Sequence, residues 1–150
     1  MSGARLFATL FGIGRVPFAP GTAASLAAAL LAWPIAMAFG HWVLLALAVA
    51  AGIAAIPIAE AYAKECGRDD PSECVIDELA GQWLACALAP VTPLGFVLAF
   101  LFFRILDMTK TWPISELEKL KGGLGIVADD MGAGLAAGLI VMLFAHGGYI

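Results

Sequence analysis

Hydrophobic positions along this chain come in long unbroken runs. They show neither the strict alternation of half-buried strands nor the single apolar stripe of a soluble helix. No charged residue occurs at 16–59, 79–103 or 131–150. Divided at their turn residues, the runs predict five helical segments: 22–39, 42–59, about 75–89, 94–106, and 131 to about 145. Phe39-Gly40-His41 separates the first two, and Pro90-Val91-Thr92-Pro93 separates the third from the fourth. A helix that crosses a bilayer needs about 20 apolar residues, because the hydrocarbon core is ~30 Å thick and each residue rises ~1.5 Å. The third and fourth segments fall short of that length. Five spans is the preferred reading, and four with a shallow hairpin is the alternative.

Composition makes the solvent explicit. Of 150 residues 62% are hydrophobic and only 13% charged, with a mean hydropathy of +0.94. A soluble domain carries about 25% charged residues, and a core of this size cannot hide so much apolar surface from water. A disordered chain, a disulfide scaffold and an ordinary soluble enzyme are thereby excluded. The expected fold is an all-α integral membrane protein: one compact bundle over residues 1–150, of about five fully or partly spanning helices. The apolar run at 6–13 reaches Arg15 without a small-residue cleavage site, so no cleavable leader is expected.

Charge placement then orients the bundle. The charged residues fall into an N-terminal arm (Arg5, Arg15), a cluster from Glu60 to Glu78, and another from Arg104 to Asp130. All eight basic residues lie there, so these segments are expected to be cytoplasmic and the Pro90–Pro93 turn outward. A net charge of −4 with no basic stripe argues against a nucleic-acid partner. Cys66, Cys74 and Cys86 lack metal-ligand spacing, and their odd number argues against a disulfide framework. Oligomeric state is not legible.

Candidate chemistry gathers at the ends of the runs. Around Pro20-Gly21-Thr22, prolines and glycine stop any earlier helix, and Thr22 is a natural N-cap with Ser25 on its face. Such a helix start suits an anion, although plain capping explains it too. Asp77 and Glu78 open the third segment, and Gln82 continues their stripe into apolar sequence. Acids in a first turn often only offset the helix dipole, but polar groups at membrane depth mark sites. Arg104, Asp107 and Thr111 follow helical spacing with Lys110 beside them; Arg104 and Lys110 as anchors at the membrane edge, with Asp107 as their salt-bridge partner, are the bland explanation. A Gly-rich loop, Gly122-Gly123-Leu124-Gly125, leads to Asp129 and Asp130 at the mouth of the last segment. Asp130, Gly134 and Gly138 share a stripe whose small residues permit close helix contact. Glu60 has Lys64 four residues on, which a surface ion pair explains. Clustered carboxylates without His or Cys select Mg²⁺ over zinc. Arg104 and Lys110 would neutralise a bound phosphate. The combination points to phosphoryl chemistry on a phospholipid headgroup, with a small ion transporter as the non-enzymatic alternative and a transferase on the same metal site as a weaker third reading.

At these residues the chain resembles the bacterial phosphatidylglycerophosphatase A family. The matching blocks are P-x-A-P-G-T-x-x-S-L at 17–26, D-x(6)-D-E-x-x-G at 70–81, F-R-x-x-D-x-x-K-x-W-P-I at 103–114, and G-G-x-G-I-x-x-D-D-x-x-A/G-G at 122–134. Thr111 stands where the family usually has Pro, and Ala24 where it commonly has Gly; neither change removes a charged group. The resemblance implies Mg²⁺-dependent removal of the terminal phosphate of phosphatidylglycerophosphate in the bacterial cytoplasmic membrane, with the active site on the cytoplasmic side. The expected metal set is Asp77, Glu78, Asp129 and Asp130. Gly21, Thr22, Ser25, Arg104 and Lys110 are expected to hold phosphate, and Asp107, Asp130 and Lys110 to serve catalysis. No aspartate lies two residues after Asp107, so hydrolysis in one displacement is expected over an aspartyl-phosphate, with Asp107 as metal ligand or base.

Overall fold

The computed structural model describes residues 2–150. Among these it has seven α-helices, one short 3-10 turn and no strand: α1 (Gly3–Ala8), α2 (Pro20–Phe39), α3 (His41–Cys66), α4 (Ile76–Leu88), α5 (Pro93–Thr109), α6 (Ile114–Glu118) and α7 (Gly123–His146). Of these, α2, α3 and α7 are long and apolar enough to cross a membrane. Exposed Leu30, Ile53, Val97 and Leu143 coat the outside, as expected where lipid is the solvent.

Helix α4 lies at the centre, packed against α7, α3, α2 and α5. Its 13 residues rise only ~20 Å, and the Pro90–Pro93 turn joins it to α5. Thr92 caps α5, its Oγ1 accepting from the Gly95 amide at 3.0 Å. The α4–α7 crossing is unusually close. A methyl group on Gly134 would run into the backbone of Gly81, and one on Gly81 would meet the Asp130 carbonyl and the Phe103 ring. Glycine at both positions lets the two backbones touch, which is how helices associate without a hydrophobic driving force.

Several boundaries differ from the sequence reading, among them the end of α3 at Cys66 where 59 was expected. Helix α2 starts at Pro20, so Ala19 occupies the cap position and Thr22 lies inside the first turn. Proline at the first helical position needs no N–H partner and brings a suitable φ, and it displaces Thr22 as the start signal. Helix α5 ends at Thr109, where Lys110 takes a left-handed conformation (φ 46°), so Thr111 drops off the Arg104–Asp107 stripe and is exposed. The Gly-rich stretch is helix: α7 begins at Gly123, and Asp129 and Asp130 sit almost two turns inside it. Gly123 permits this by lying directly on the α3 backbone at Ile56 and Glu60.

Candidate active site

The N-terminal ends of α2, α4 and α7 meet the C-terminal ends of α3 and α5 at one end of the bundle. Acids in the first turn of α4 offset the partial positive charge of its N-terminus. From there Asp77 is buried and Glu78 reaches the start of α2, where a methyl group on Gly21 would strike the Glu78 carboxylate and approach Arg104 Nη1. Arg104 pairs with Asp107 one turn on. Lys110 pairs with Asp129 and, at 3.2 Å, with Glu118.

Five carboxylates form two groups of three that share Asp130. Asp77, Glu78 and Asp130 each offer an oxygen within 4.8 Å of the others, and Asp107, Asp129 and Asp130 do the same. Asp77, Asp129 and Asp130 retain only 7%, 4% and 3% exposure. Despite that burial, Asp77 Oδ1, Glu78 Oε2 and Asp130 Oδ2 have no hydrogen-bond partner among the described residues. A buried carboxylate oxygen without a donor is costly. Hard oxygen donors held this close fit a divalent cation.

The remaining expected residues separate by role. Gly21 lies against Glu78 and Arg104, and Arg104 Nε is buried without a partner, leaving a donor for an incoming anion. Ser25 is buried and its hydroxyl donates to the Gly21 carbonyl at 2.8 Å, while Thr22 is half-buried. Gln82, fully buried one turn beyond Glu78, donates to Cys86 Sγ at 3.4 Å and leaves its Oε1 unpartnered. Glu60 pairs with Lys64 at 2.6 Å, outside the cluster. Sequence reasoning missed the open cleft of about 650 Å³ that reaches Asp129 from the side of Arg68, Lys121 and Gly122. Its walls come from α3 beyond residue 59, the 67–70 turn and the start of α7, which are distant in sequence and carry no joint signal.

Electrostatics outside the spanning segments support this division. For Lys110, burial alone would lower the pKa, but the bonds to Asp129 and Glu118 outweigh it and hold the ammonium above the ordinary lysine range. Burial pushes the Cys74 thiol up to about 12, with Glu78 adding to the effect, so it stays a neutral packing group.

An enzyme of the membrane-embedded helical class is what these features define, its acidic, cation-flanked centre lying at one end of the apolar helices. A model of the phosphatidylglycerophosphatase A family matches residues 6–145, and the chain belongs to that family. Phosphatidylglycerophosphatase A of Escherichia coli (strain K12) is 38% identical over 144 residues, covering 94% of this chain and 83% of that protein. The Haemophilus influenzae phosphatidylglycerophosphatase A is 31% identical over 143 residues, covering 94% and 88%. A Bacteroides thetaiotaomicron protein, provisionally named a phosphatidylinositol-3-phosphatase, is 35% identical over 145 residues, covering 91% and 89%. No solved structure matches the chain.

Proposed function

We propose that this protein hydrolyses the terminal phosphomonoester of phosphatidylglycerophosphate to give phosphatidylglycerol, with Mg²⁺ held by Asp77, Glu78, Asp129 and Asp130. The carrying observation is the set of buried carboxylates, with unpartnered oxygens on Asp77 and Asp130, inside a chain of this family. When bound, such an ion neutralises charge on the transferring phosphoryl group. The phosphomonoester brings about −1.5 to −2 charges. Arg104 Nε, Lys110 and the start of α2 at Gly21 receive it.

Attack by water in a single displacement fits this site better than attack by Asp107. Asp107 is tied to Arg104, and Thr109, two residues on, is exposed and turned to the Ile105 carbonyl at 2.7 Å. It offers no acid to the leaving oxygen. A chirally labelled phosphate should therefore emerge with inverted configuration.

Five membrane helices, with their charged ends on the cytoplasmic side of a bacterial inner membrane, complete the reading. Clustering of the basic residues at the site end supports this orientation. Lys121→Cys should react with an impermeant maleimide only from the cytoplasmic side; labelling from outside would invert the topology.

The substrate test is phosphate release from phosphatidylglycerophosphate by purified protein in detergent, after chelation and again with Mg²⁺ restored. Phosphatidylinositol 3-phosphate runs in parallel, because a relative carries that name. Rapid release from the first lipid only, and only with Mg²⁺, is expected. Preference for the inositol lipid would reassign the headgroup, and no release from either would remove the activity.

A further inference from the structure

The carboxylates outnumber what one ion requires. Asp77, Glu78, Asp107, Asp129 and Asp130, together with Glu118 at Lys110, face two cations, Arg104 and Lys110, a formal excess of four negative charges. One divalent ion leaves the pocket negative before a phosphate dianion enters. A second brings the formal sum to zero, so the substrate dianion no longer meets net negative charge. The geometry divides the same way. One group comes from the first turn of α4 and from α7, the other from the last turn of α5 and from α7, and Asp130 belongs to both. Octahedral Mg²⁺ with oxygens at ~2.0–2.1 Å places trans ligands ~4.2 Å apart and cis ligands closer, so either group, its oxygens all within 4.8 Å of one another, closes on an ion by moving inward. Unpartnered oxygens on Asp77 and Asp130, each on a side chain more than nine-tenths buried, are an independent sign that a cation belongs at the first group; at the second, Asp107 and Asp129 pair with Arg104 and Lys110 and the shared Asp130 supplies the unpartnered oxygen.

We infer that the site holds two divalent ions bridged by the Asp130 carboxylate, one with Asp77 and Glu78 and the other with Asp107 and Asp129. Each ion then has three protein oxygens, which leaves positions for water and the phosphate, the arrangement of two-ion phosphoryl-transfer sites with ions ~3.5–4 Å apart. The inference rests on the metal-dependent reading above, and its test does not use turnover.

Purified protein in detergent is titrated with Mn²⁺ alone, counting bound ions by equilibrium dialysis and recording their paramagnetic resonance spectrum. Two ions per chain with a spin-coupled spectrum are expected. Asp107→Asn should lower the count to one and leave an uncoupled six-line spectrum, and Asp130→Asn should abolish the coupling. Each variant is first checked for an unchanged elution volume and thermal transition. If Asp130→Asn does not fold, the wild-type count and Asp107→Asn decide. A single uncoupled ion at saturation in wild-type protein would overturn the two-ion inference while leaving a one-ion phosphatase intact. Failure to bind Mn²⁺ at all, with phosphate release insensitive to chelation, would sink the metal-dependent reading as well.

Discussion

Lys110 shows how one backbone choice builds part of the site. Its left-handed φ ends α5 and swings the ammonium to Asp129 and Glu118. A non-glycine residue in this conformation is uncommon, and nothing in the local sequence announces it, so the bland sequence reading, which makes Asp107 the salt-bridge partner of Lys110, misses Asp129. Because its folded pKa is raised above the unfolded value, the pair's stabilisation is fully present below about pH 10.4 and is lost only as the pH rises through the folded value. The stability gap between wild-type protein and Lys110→Met, read by thermal unfolding, should therefore be flat from pH 7 to about pH 10 and close above that. A gap that stays flat or widens above about pH 10.4 would mean that Asp129 and Glu118 do not hold the ammonium. The same variant should lose about 10²–10³-fold in kcat, by analogy with removal of one preorganised donor to a charged transition state. Unchanged kcat with lost membrane insertion would instead make Lys110 an anchor.

At the scale of elements, the α4–α7 contact determines whether the carboxylates meet. Gly134→Ala would push a methyl group into the rigid backbone of Gly81, whereas at Gly132 the nearest obstacle is the flexible end of Leu117. Overpacking of the first kind costs about 1–3 kcal/mol. Gly134→Ala should lower both the unfolding temperature and the activity, with Gly132→Ala affecting each less; equal effects would argue against backbone contact as the organising feature. The stripe of Asp130, Gly134 and Gly138 was legible because small residues at four-residue spacing have a direct packing meaning. The start of α7 was not. A pair of aspartates ordinarily bounds an apolar span, but here α4, α5 and Lys110 enclose them, and the helix runs on past them to Gly123. Similarly, α3 continues to Cys66 because its charged last turns line the aqueous cleft. In both helices tertiary surroundings, absent from any local window, moved the boundary.

Across the whole molecule, buried polar side chains are confined to one end. The buried polar side chains among the described residues are Thr9, Ser25, Asp77, Gln82, Asp129 and Asp130. Further along, the interior faces of α2, α3 and α7 are lined by Ala32, Ala36, Leu44, Ala48, Ala137 and Val141. Such a plug gives an ion no path across the bilayer, so a transporter is not favoured. The charge-free runs made this architecture legible before any coordinates, because the cost of burying an ion in hydrocarbon sorts charge along the chain. What they left hidden was the depth of the site: the acids enter the bundle instead of stopping at its mouth. That depth makes Asp130, common to both carboxylate groups, the residue on which the account turns. Phosphate release from phosphatidylglycerophosphate should be measured for wild-type protein and Asp130→Asn across a Mg²⁺ titration, after confirming equal membrane insertion. Mg²⁺-dependent release by the wild type is expected, with a loss of about 10³-fold or more in the variant at every Mg²⁺ concentration. Near-normal release by Asp130→Asn at low Mg²⁺, or wild-type turnover that ignores the metal, would contradict it.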